Sequence, residues 1–352
     1  MLDIVYRFRL QGTPIGSIEF GSGHINRTYL IITNHPHLYI LQNVNTRTFP
    51  DAHGLMRNVI LVTEHIRKKV QDPRQVLQLI STTEGQLYIL EENNQLWRMY
   101  EYVTDSICLN QAETSEDFRQ AGKAFGIFQR QLTDFPADQL TEVIPDFHHT
   151  PRRYDALHKA INQDRMNRAA GVKEEIDFYL EHEPVASELV SLLECGKLPL
   201  RVTHNDTKLN NVMFDEVTRE PLCIVDLDTV MPGLTAYDFG DAIRFGASSA
   251  AEDEQDLRKV YLSLELFKAF SEGFLSVCGD SLTSLERDTL VEGARLMTLE
   301  CGSRFLTDYL QGDTYFHIAR PNHNLDRART QMALVRDMEN KWTQMKKIIR
   351  EV

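Results

Sequence analysis

The chain has 352 residues and a mass of 40.6 kDa, a length that predicts two domains or two lobes of one fold. Hydrophobic residues make up 42% of the chain and charged residues 25%, which is typical of a globular protein with a full core. The formal net charge of −13 excludes the strongly basic surface that phosphate backbones and anionic membranes attract. We therefore expect neither nucleic acid nor a membrane as a partner.

Cysteine usage and the first residues indicate a cytoplasmic protein. The five cysteines are odd in number and include no C-x-x-C pair, so neither a disulfide framework nor a zinc site is expected. No stretch approaches the roughly 18 uncharged apolar residues of a membrane-spanning helix. The opening sequence, MLDIVYRFRL, lacks the long apolar core of a signal peptide.

The first hundred residues predict a β-rich lobe with one helix. Short runs of β-branched and aromatic residues, bounded by Gly, Asn or Pro, are typical of strands. Between the third and fourth runs, apolar residues recur every three or four positions, which predicts one buried helix face. That face consists of Leu55, Val59, Val62, Ile66 and Val70. Five strands are predicted over residues 15–20, 27–33, 38–43, 76–82 and 86–91, and the run 95–103 fits both a further strand and the exit from this lobe.

The rest of the chain has a mainly helical pattern. Thr114, with Asp117 three residues later, predicts a helix N-terminus. The prediction is an α+β chain with a small N-terminal lobe of five strands and a helix, residues 1–103, and a larger, mainly helical C-terminal lobe, residues 104–352. Further helices are predicted over residues 153–196, 252–278 and 284–352, the last with a break near 312–324, and two strands over 211–215 and 222–227.

The stretch RVTHNDTKLNNVMFD carries the chemistry, together with CIVDLDTVMPG downstream. Phosphoryl transfer needs a carboxylate to receive the hydroxyl proton, oxygen ligands for Mg²⁺ and a cation against the moving group. We predict Asp206 as the catalytic base, Lys208 as the catalytic cation, and Asn211 with Asp226 as the metal ligands. Each residue alone would suit a turn between a strand and a helix. The complete set, followed by an aspartate at the end of a strand, favours catalysis.

Two nearby acidic positions need separate assignments. Asp228 is predicted as a second metal ligand or a substrate contact, with a solvated loop acid as an equal alternative. Downstream, YDFGD contains a literal D-F-G, the sequence that marks the metal aspartate in protein kinases. Because it follows no predicted strand, the metal role goes to Asp226. We expect Asp238 to cap the next helix and to brace the catalytic loop by accepting backbone N–H groups.

A glycine-containing turn in EFGSGHINRTYLI predicts the phosphate side of a nucleotide site. Gly21 and Gly23 let backbone amides approach phosphates closely. Kinases carry a lysine on the third strand, but here LYILQN places Gln42 at that point. Because glutamine cannot neutralise a phosphate, either Lys208 or an arginine from elsewhere must supply that charge.

The loop motif resembles that of aminoglycoside phosphotransferase-like small-molecule kinases. The blocks GHINRTYLI, YILQNVN, THNDTKLNN, DLDTVMPG and ECGSRFLTDYLQGD further resemble the N-acetylhexosamine 1-kinase family, across roughly residues 20–330. The resemblance implies a two-lobed, protein-kinase-like fold. It also implies ATP- and Mg²⁺-dependent phosphorylation of the anomeric hydroxyl of N-acetylglucosamine or N-acetylgalactosamine.

By the same resemblance, His24, Arg304 and Tyr315 contact the sugar, along with Asp206 and Asp228. Imidazole, guanidinium and phenol groups are directional partners for sugar hydroxyls and an acetamido oxygen. Each of the first three has an alternative role, which the sequence leaves open. His24 suits closure of the glycine turn or a phosphate contact, and Tyr315 suits half-buried packing.

Arg304 also follows Glu300 by four residues, so a helical ion pair is its alternative. The backbone over residues 98–103 is expected to meet adenine. That expectation names Arg98, Tyr100 and Tyr102 as nucleotide-binding residues, although Tyr100 suits the core equally well.

Two other functions remain open. The chain fits a kinase for choline, homoserine or an aminoglycoside, whose ammonium-bearing acceptor favours an acidic or aromatic pocket. Asp228, Asp308 and Asp313 are its acidic candidates. The chain also fits a nucleotide-binding pseudokinase that acts as a sensor, a reading that only Gln42 supports.

Overall fold

The structure, a computed structural model, describes residues 2–21 and 25–352. The chain divides into two compact units, and neither unit is a continuous segment. The lobe boundary between residues 103 and 104 therefore stays a prediction, since the chain returns twice to the first unit. The first unit comprises Met1–Cys108, Asp134–Pro145 and Val212–Pro232, and the second comprises Leu109–Thr133, Asp146–Asn211 and Gly233–Val352.

The first unit contains a five-stranded antiparallel sheet. Its strands are β1 (Pro14–Glu19), β2 (Arg27–Thr33), β3 (Leu38–Val44), β4 (Ile89–Leu90) and β5 (Leu96–Glu101), in the order β1-β2-β3-β5-β4. One face of the sheet is buried against α1 (Leu2–Val5). The buried residues on that face are Tyr29, Ile31, Tyr39, Leu41, Trp97 and Met99.

Helix α2 (Ala52–Arg67) follows β3, as the apolar spacing predicts. The Asp51 side chain caps its N-terminus by accepting the N–H of Gly54 at 2.8 Å. The helix ends at Arg67, so Val70 lies beyond the helical face on which it was predicted.

The predicted strand over residues 76–82 is wrong. This segment meets its neighbours only through isolated bridges, Leu79 with Tyr100 and Thr82 with Phe8. The strand predicted over 86–91 shortens to β4 for the same reason, because only Ile89 and Leu90 pair with β5. A favourable residue type does not form a strand without a partner that pairs in register.

A second, three-stranded sheet also belongs to the first unit. It joins β6 (Ser106–Cys108), β8 (Val212–Asp215) and β9 (Pro221–Ile224) in the order β6-β8-β9, and all pairs are antiparallel. The hairpin predicted after the catalytic motif is therefore present. Two more short strands are β7 (Arg201–Thr203) and β10 (Met231–Gly233).

The second unit is mainly helical, and α11 (Leu290–Gln311) runs through its core. Residues on nearly every side of α11 are buried, because other helices pack around it. The remaining helices are α3 (Ser115–Gln131), α4 (Thr150–Gln163), α5 (Lys173–Glu181), α6 (Glu183–Ala186), α7 (Glu188–Glu194), α8 (Thr235–Gly246), α9 (Leu264–Cys278), α10 (Ser284–Asp288), α12 (His323–Asn340) and α13 (Trp342–Glu351).

Several helix ends agree with the sequence and others do not. Thr114 and Asp117 form the predicted reciprocal cap of α3. The long helix predicted over residues 153–196 is broken after α4, where Asp164 has a left-handed backbone with φ 33°. Residues 252–263 contain only a short 3₁₀ helix, and α9 begins after the Ser263 cap. The predicted break in the tail is present, since α11 ends at Gly312 with φ 104°.

Helices α8 and α11 approach closely through glycine. A Cβ atom on Gly240 would lie 2.3 Å from the carbonyl oxygen of Gly293, and one on Gly293 would lie 2.2 Å from that of Ala236. Only glycine allows this close packing of α8 against α11. In the part of the chain that the structure describes, no helix is long and apolar enough to cross a membrane.

Candidate active site

The predicted catalytic loop, residues 204–211, begins directly after β7, and His204 is buried. The His204 ring lies edge-on to Phe125 and Phe128, with centroids 5.8 and 5.9 Å away. The next residue, Asn205, has a left-handed backbone with φ 63°, a conformation that asparagine tolerates better than most residues. A buried anchor and a sharp turn thus precede Asp206.

Asp238 braces this loop as the sequence predicts. Its Oδ2 accepts the backbone N–H of His204 at 2.9 Å, and its Oδ1 accepts that of Asn205 at 2.8 Å. Gln129 donates to Oδ2 at 2.7 Å. Burial raises the pKa of Asp238, and these donors partly offset that effect. The predicted helix cap is wrong, because Asp238 lies inside α8 and Leu234 occupies the cap position.

Asp241, also on α8, accepts a hydrogen bond from a second part of the same loop, a contact that the sequence did not predict. Its Oδ2 accepts the backbone N–H of Thr207 at 3.1 Å, while Arg244 donates to Oδ1 at 2.9 and 3.0 Å. Burial opposes its charge, but Arg244 and Lys208 hold the pKa of Asp241 below its ordinary value. The available signal was the D-x-x-D spacing with Asp238, which places both carboxylates on one helix face.

The structure brings Asp206, Lys208 and Asn211 together. Lys208 Nζ lies 2.7 Å from Asp206 Oδ1, and Asn211 Nδ2 donates to Asp206 Oδ2 at 3.1 Å and to its backbone oxygen at 2.9 Å. Burial favours the neutral amine, but Asp206 and Asp241 raise the pKa of Lys208 above its ordinary value. The predicted base, cation and first metal ligand therefore form one cluster in the second unit.

Asp226, the other predicted metal ligand, belongs to the first unit. It follows β9, is exposed and has a left-handed backbone with φ 57°. In the β8–β9 hairpin, Val212 pairs with Ile224. Val212 directly follows Asn211, and Ile224 precedes Asp226 by two residues, so the hairpin predicted between Asn211 and Asp226 is present.

The donor chemistry of these two residues suits Mg²⁺. Both side-chain hydrogen bonds of Asn211 use Nδ2, so its Oδ1 accepts none from the described residues. Asp226 adds an exposed carboxylate, and both are the hard oxygen ligands that Mg²⁺ prefers. Among the residues that the structure describes, no group of three or more His, Cys, Asp or Glu side chains is arranged to hold a metal ion.

Asp228 is buried, which makes its interpretation as a solvated loop acid wrong. The Asn26 amide donates to Oδ2 at 2.6 Å, and Arg98 Nη2 forms an ion pair with Oδ1 at 2.5 Å. Both oxygens of this carboxylate are therefore engaged inside the first unit. Its predicted roles as a metal ligand or a substrate contact stay predictions.

Gln42 lies beside a buried arginine. Arg98 is the residue directly opposite Gln42 in the β3–β5 register. Its Nε and Nη2 donate to Gln42 Oε1 at 3.0 and 2.8 Å. The position at which kinases carry lysine thus has a guanidinium as its immediate neighbour, which the sequence alone did not reveal.

The backbone of residues 98–101, part of the segment predicted to meet adenine, is hydrogen-bonded within the sheet, and the adenine contact stays a prediction. Ile80 N–H donates to Met99 oxygen at 2.8 Å, and Glu101 N–H donates to Gln78 oxygen at 2.9 Å, while β3 pairs on the other side of β5. The Tyr102 N–H donates to Leu38 oxygen at 3.0 Å. Backbone groups of residues 98–101 are thus used within the sheet on both sides.

The remaining residues predicted to bind the nucleotide are Tyr100, Tyr102, Gly21 and Gly23. Tyr100 is buried, and its hydroxyl makes no hydrogen bond with the described residues. The Tyr102 ring packs edge-on against Phe20. Gly21 has φ 81°, and a Cβ atom there would meet nothing within 4 Å. Gly23 and His24 lie outside the described residues, so their predicted roles remain predictions.

Arg304 and Tyr315 lie together in an aromatic cluster of the second unit. Arg304 Nη2 is 3.5 Å from the Tyr315 hydroxyl, and its guanidinium carbon lies 5.5–5.8 Å from the ring centroids of Phe147, Tyr315 and Phe316. Tyr315 is 69% exposed. We call Arg304, Tyr315, Phe147 and Phe316 the Arg304 cluster.

The alternative ion pair between Glu300 and Arg304 is absent from the described residues. The Glu300 carboxylate instead contacts His148 Nδ1 at 2.8 Å and accepts the Thr150 hydroxyl at 2.7 Å. His148 Nε2 also lies 3.4 Å from the backbone oxygen of Asn205. His148 and Glu300 therefore connect the catalytic loop to the helix that carries Arg304, a link that the sequence analysis missed.

Two acidic residues proposed for an ammonium pocket have structural partners. Asp308 accepts the backbone N–H groups of residues 314–316 at 2.8–2.9 Å and the Asn324 amide at 2.9 Å. Asp313 pairs with Arg168 at 2.7 Å and also accepts from Asn324. Both carboxylates organise the loop after α11.

Solved structures of small-molecule kinases resemble this fold at low sequence identity. A microcompartment-associated aminopropanol kinase shares 14% identity, with 98% of this chain and 97% of that chain covered and a TM-score of 0.67. Amicoumacin kinase in complex with AMP-PNP and Ca²⁺ shares 13%, with 97% and 92% covered and a TM-score of 0.65. Choline kinase LicA from Streptococcus pneumoniae shares 12%, with 93% and 94% covered and a TM-score of 0.54.

These similarities confirm the predicted fold class, a two-lobed, protein-kinase-like α+β fold. A family model described as the phosphotransferase enzyme family matches residues 17–267. The matched segment is more than half of the chain and contains the catalytic loop, Asp226 and α8. The chain therefore belongs to the phosphotransferase enzyme family.

Proposed function

We propose that the protein transfers the γ-phosphoryl group of ATP, in the presence of Mg²⁺, to the anomeric hydroxyl of an N-acetylhexosamine. N-acetylglucosamine and N-acetylgalactosamine are the proposed acceptors, and the product is the sugar 1-phosphate. The observation that carries the sugar assignment is the Arg304 cluster, in which a guanidinium with no carboxylate partner among the described residues lies against the exposed Tyr315 ring and the partly buried rings of Phe147 and Phe316.

The proposed chemistry is a direct in-line transfer. Asp206 accepts the proton of the sugar hydroxyl while the hydroxyl oxygen bonds to the γ-phosphorus of ATP. The bond between the γ-phosphorus and the oxygen that joins it to the β-phosphate breaks, which releases ADP. Lys208, now paired with Asp206, stabilises the charge on the transferred group. Asn211 and Asp226 would hold Mg²⁺, which supplies positive charge against the ATP phosphates.

The permanent positive charge of the Arg304 cluster favours a neutral sugar over an ammonium-bearing substrate. Guanidinium N–H groups donate to hydroxyl and acetamido oxygens, and an arginine stays charged at all working pH values. The same charge repels an ammonium group. Asp308 and Asp313 do not compensate, because Asp308 already accepts backbone N–H groups of the loop after α11 and Asp313 already accepts from Arg168 and Asn324.

An amino-alcohol kinase is the second candidate. Two of the similar structures are named as an aminopropanol kinase and a choline kinase. The aromatic rings of the Arg304 cluster also suit a cationic acceptor once Arg304 is displaced from them. A pseudokinase is the weaker alternative, since Asp206, Lys208 and Asn211 form an intact cluster.

The deciding experiment measures ADP release with ATP, Mg²⁺ and one acceptor at a time. The acceptors are N-acetylglucosamine, N-acetylgalactosamine, glucose, galactose, choline, aminopropanol, homoserine and kanamycin. Phosphorus NMR of the product identifies the phosphorylated oxygen, and an Asp206→Asn variant measures the background. We expect turnover with an N-acetylhexosamine and a 1-phosphate product.

Turnover only with an amino alcohol or an aminoglycoside would replace the proposed acceptor and leave Asp206 as the base. ATP binding without turnover on any acceptor would favour the pseudokinase.

A further inference from the structure

The face of the five-stranded sheet that points away from α1 has an apolar row and a polar row. Directly paired residues place Ile18, Leu30, Ile40 and Tyr100 side by side in the apolar row. Two residues along the strands, Thr28, Gln42 and Arg98 form the polar row on the same face. Ile18 is 54% exposed, so this face is only partly covered at the apolar end.

Arg98 is the only cation in these two rows, and its hydrogen bonds are incomplete. Its side chain is 1% exposed. Nε and Nη2 donate to Gln42, and Nη2 also contacts Asp228. Nη1 is buried and has no hydrogen-bond partner among the described residues. A buried N–H pair without an acceptor is costly, so this atom points to a missing oxygen ligand.

The surroundings orient the guanidinium. Asn26 fixes the Asp228 carboxylate at 2.6 Å, and Asn26 in turn accepts the backbone N–H of Asn45 at 3.0 Å. Gln42 accepts from Nε and Nη2 of Arg98 and itself donates to the Thr28 hydroxyl at 3.2 Å. Burial disfavours the charge of Arg98, but Asp228, together with the predicted metal ligand Asp226, keeps the pKa of this arginine above its ordinary value.

We propose that Arg98 binds the phosphate oxygens of the nucleotide through Nη1, in place of the third-strand lysine that Gln42 replaces. Asp228 and Gln42 then act as positioning residues that aim the guanidinium. This inference rests on the proposed kinase function and gives Arg98 a side-chain role beyond the backbone contact predicted for its strand. Phosphate oxygens are the preferred acceptors of a guanidinium that is held in one orientation.

The test compares two variants, because Arg98→Gln alone would leave Asp228 buried and unpaired. Asp228→Asn and the double variant Arg98→Gln/Asp228→Asn differ only in the arginine and contain no buried unpaired carboxylate. Isothermal titration calorimetry measures the Kd of ADP and the Kd of adenosine. Each titration contains Mg²⁺ and omits the acceptor. The matched control is Arg329→Gln/Glu175→Gln, since Arg329 pairs with another buried carboxylate, Glu175, in the second unit.

We expect the double variant to bind ADP about 10–100-fold more weakly than Asp228→Asn, which corresponds to one or two charge-assisted hydrogen bonds. Adenosine affinity should change by less than about 3-fold, since adenosine has no phosphate. The control Arg329→Gln/Glu175→Gln should bind both ADP and adenosine as the wild type does. The double exchange Gln42→Lys/Arg98→Gln should recover part of the ADP affinity. The new lysine would place an ammonium group beside Asp228, on the third strand, where kinases carry their lysine.

Equal ADP affinity in the double variant and Asp228→Asn would overturn the role of Arg98. Equal losses for ADP and adenosine would reduce Arg98 to a structural part of the sheet. If the wild-type protein binds no ADP, the proposed kinase function fails instead, so the two failures are distinguishable.

Discussion

Lys208 Nζ lies 2.7 Å from Asp206 Oδ1, while Asn211 donates to the other carboxylate oxygen at 3.1 Å. The predicted base is therefore held on both sides by residues of its own loop. The Asp206 side chain is 29% exposed, which leaves room for an acceptor hydroxyl. Proton transfer requires a base that is already oriented, and this loop orients Asp206 before any substrate binds.

Replacing Asp206 by asparagine should lower kcat by roughly 10²–10⁴-fold, because an amide cannot take the hydroxyl proton. The affinity for ATP should stay close to that of the wild type, since the fold of the loop is kept. Steady-state kinetics and ATP titration measure the two quantities. Asp177→Asn, an exposed carboxylate paired with Lys173, is the control. A near-normal kcat in Asp206→Asn would remove the residue from its role as base.

Asp238→Asn tests whether α8 positions the catalytic loop. An amide has one acceptor oxygen, so one of the two buried N–H groups of His204 and Asn205 loses its partner. We expect a loss of about 1–3 kcal/mol in the free energy of unfolding and a fall of about 10–100-fold in kcat through displacement of the base. The KM for ATP should change much less than kcat.

The control for that variant is Asp337→Asn, because Asp337 also accepts a backbone N–H, that of Leu262 at 2.7 Å. Urea unfolding and steady-state kinetics of both variants give the comparison. If kcat falls equally in the two variants, Asp238 contributes stability and does not position the loop.

The sequence predicts the local part of the site well. Asp206, Lys208 and Asn211 lie within six residues, so a single turn of chain determines that they meet. The same holds for the Thr114 cap and for the β8–β9 hairpin, whose pairing depends on residues close in sequence. Such features depend on backbone geometry over a few residues, which residue types largely determine.

Long-range partners could not be read from the sequence. Glu300 meets His148 from 152 residues away, and Arg98 meets Asp228 only because both side chains reach one sheet face. These pairs depend on the packing of whole elements, and no local periodicity encodes that packing. The wrong strand over residues 76–82 has a related origin, since Leu79 pairs with Tyr100 only in an isolated bridge that does not extend into a ladder.

Gly293→Ala should loosen the contact that holds α8. The added Cβ atom would lie 2.2 Å from the backbone oxygen of Ala236, so α8 and α11 must separate. Overpacking of this kind costs about 1–3 kcal/mol in the free energy of unfolding. Because α8 carries Asp238 and Asp241, kcat should fall as well. Gly171→Ala is the control, since a Cβ atom there meets nothing within 4 Å; equal urea midpoints in the two variants would contradict the prediction.

Arg304→Met should weaken acceptor binding without affecting the nucleotide. Methionine keeps much of the packing on the aromatic rings but removes the donors to the acceptor. We expect the KM for the acceptor to rise about 10-fold or more, as for the loss of a hydrogen bond from a charged group, with the KM for ATP unchanged. Arg336→Met is the matched control, because that guanidinium lies 5.1 Å from the Phe178 ring. A rise in both KM values would point to a general disturbance of the second unit.

The contact between Glu300 and His148 should make the stability of the protein sensitive to acid. Burial opposes the charge of Glu300, but His148, with help from Arg304 and Thr150, lowers the pKa of this carboxyl below its ordinary value of 4.5. A lowered folded-state pKa adds stability that is fully present above about pH 4.5 and is lost as the pH falls through the folded value.

Glu300→Gln should therefore lower the free energy of unfolding at neutral pH and flatten its decrease below pH 4.5. Urea unfolding at a series of pH values between neutrality and acid measures both effects. Glu194→Gln, at an exposed position without an ion-pair partner among the described residues, controls for the loss of one negative charge. The prediction fails if the free energy of unfolding of Glu300→Gln decreases below pH 4.5 as steeply as that of the wild type. In that case, the Glu300 carboxyl does not cause the acid sensitivity.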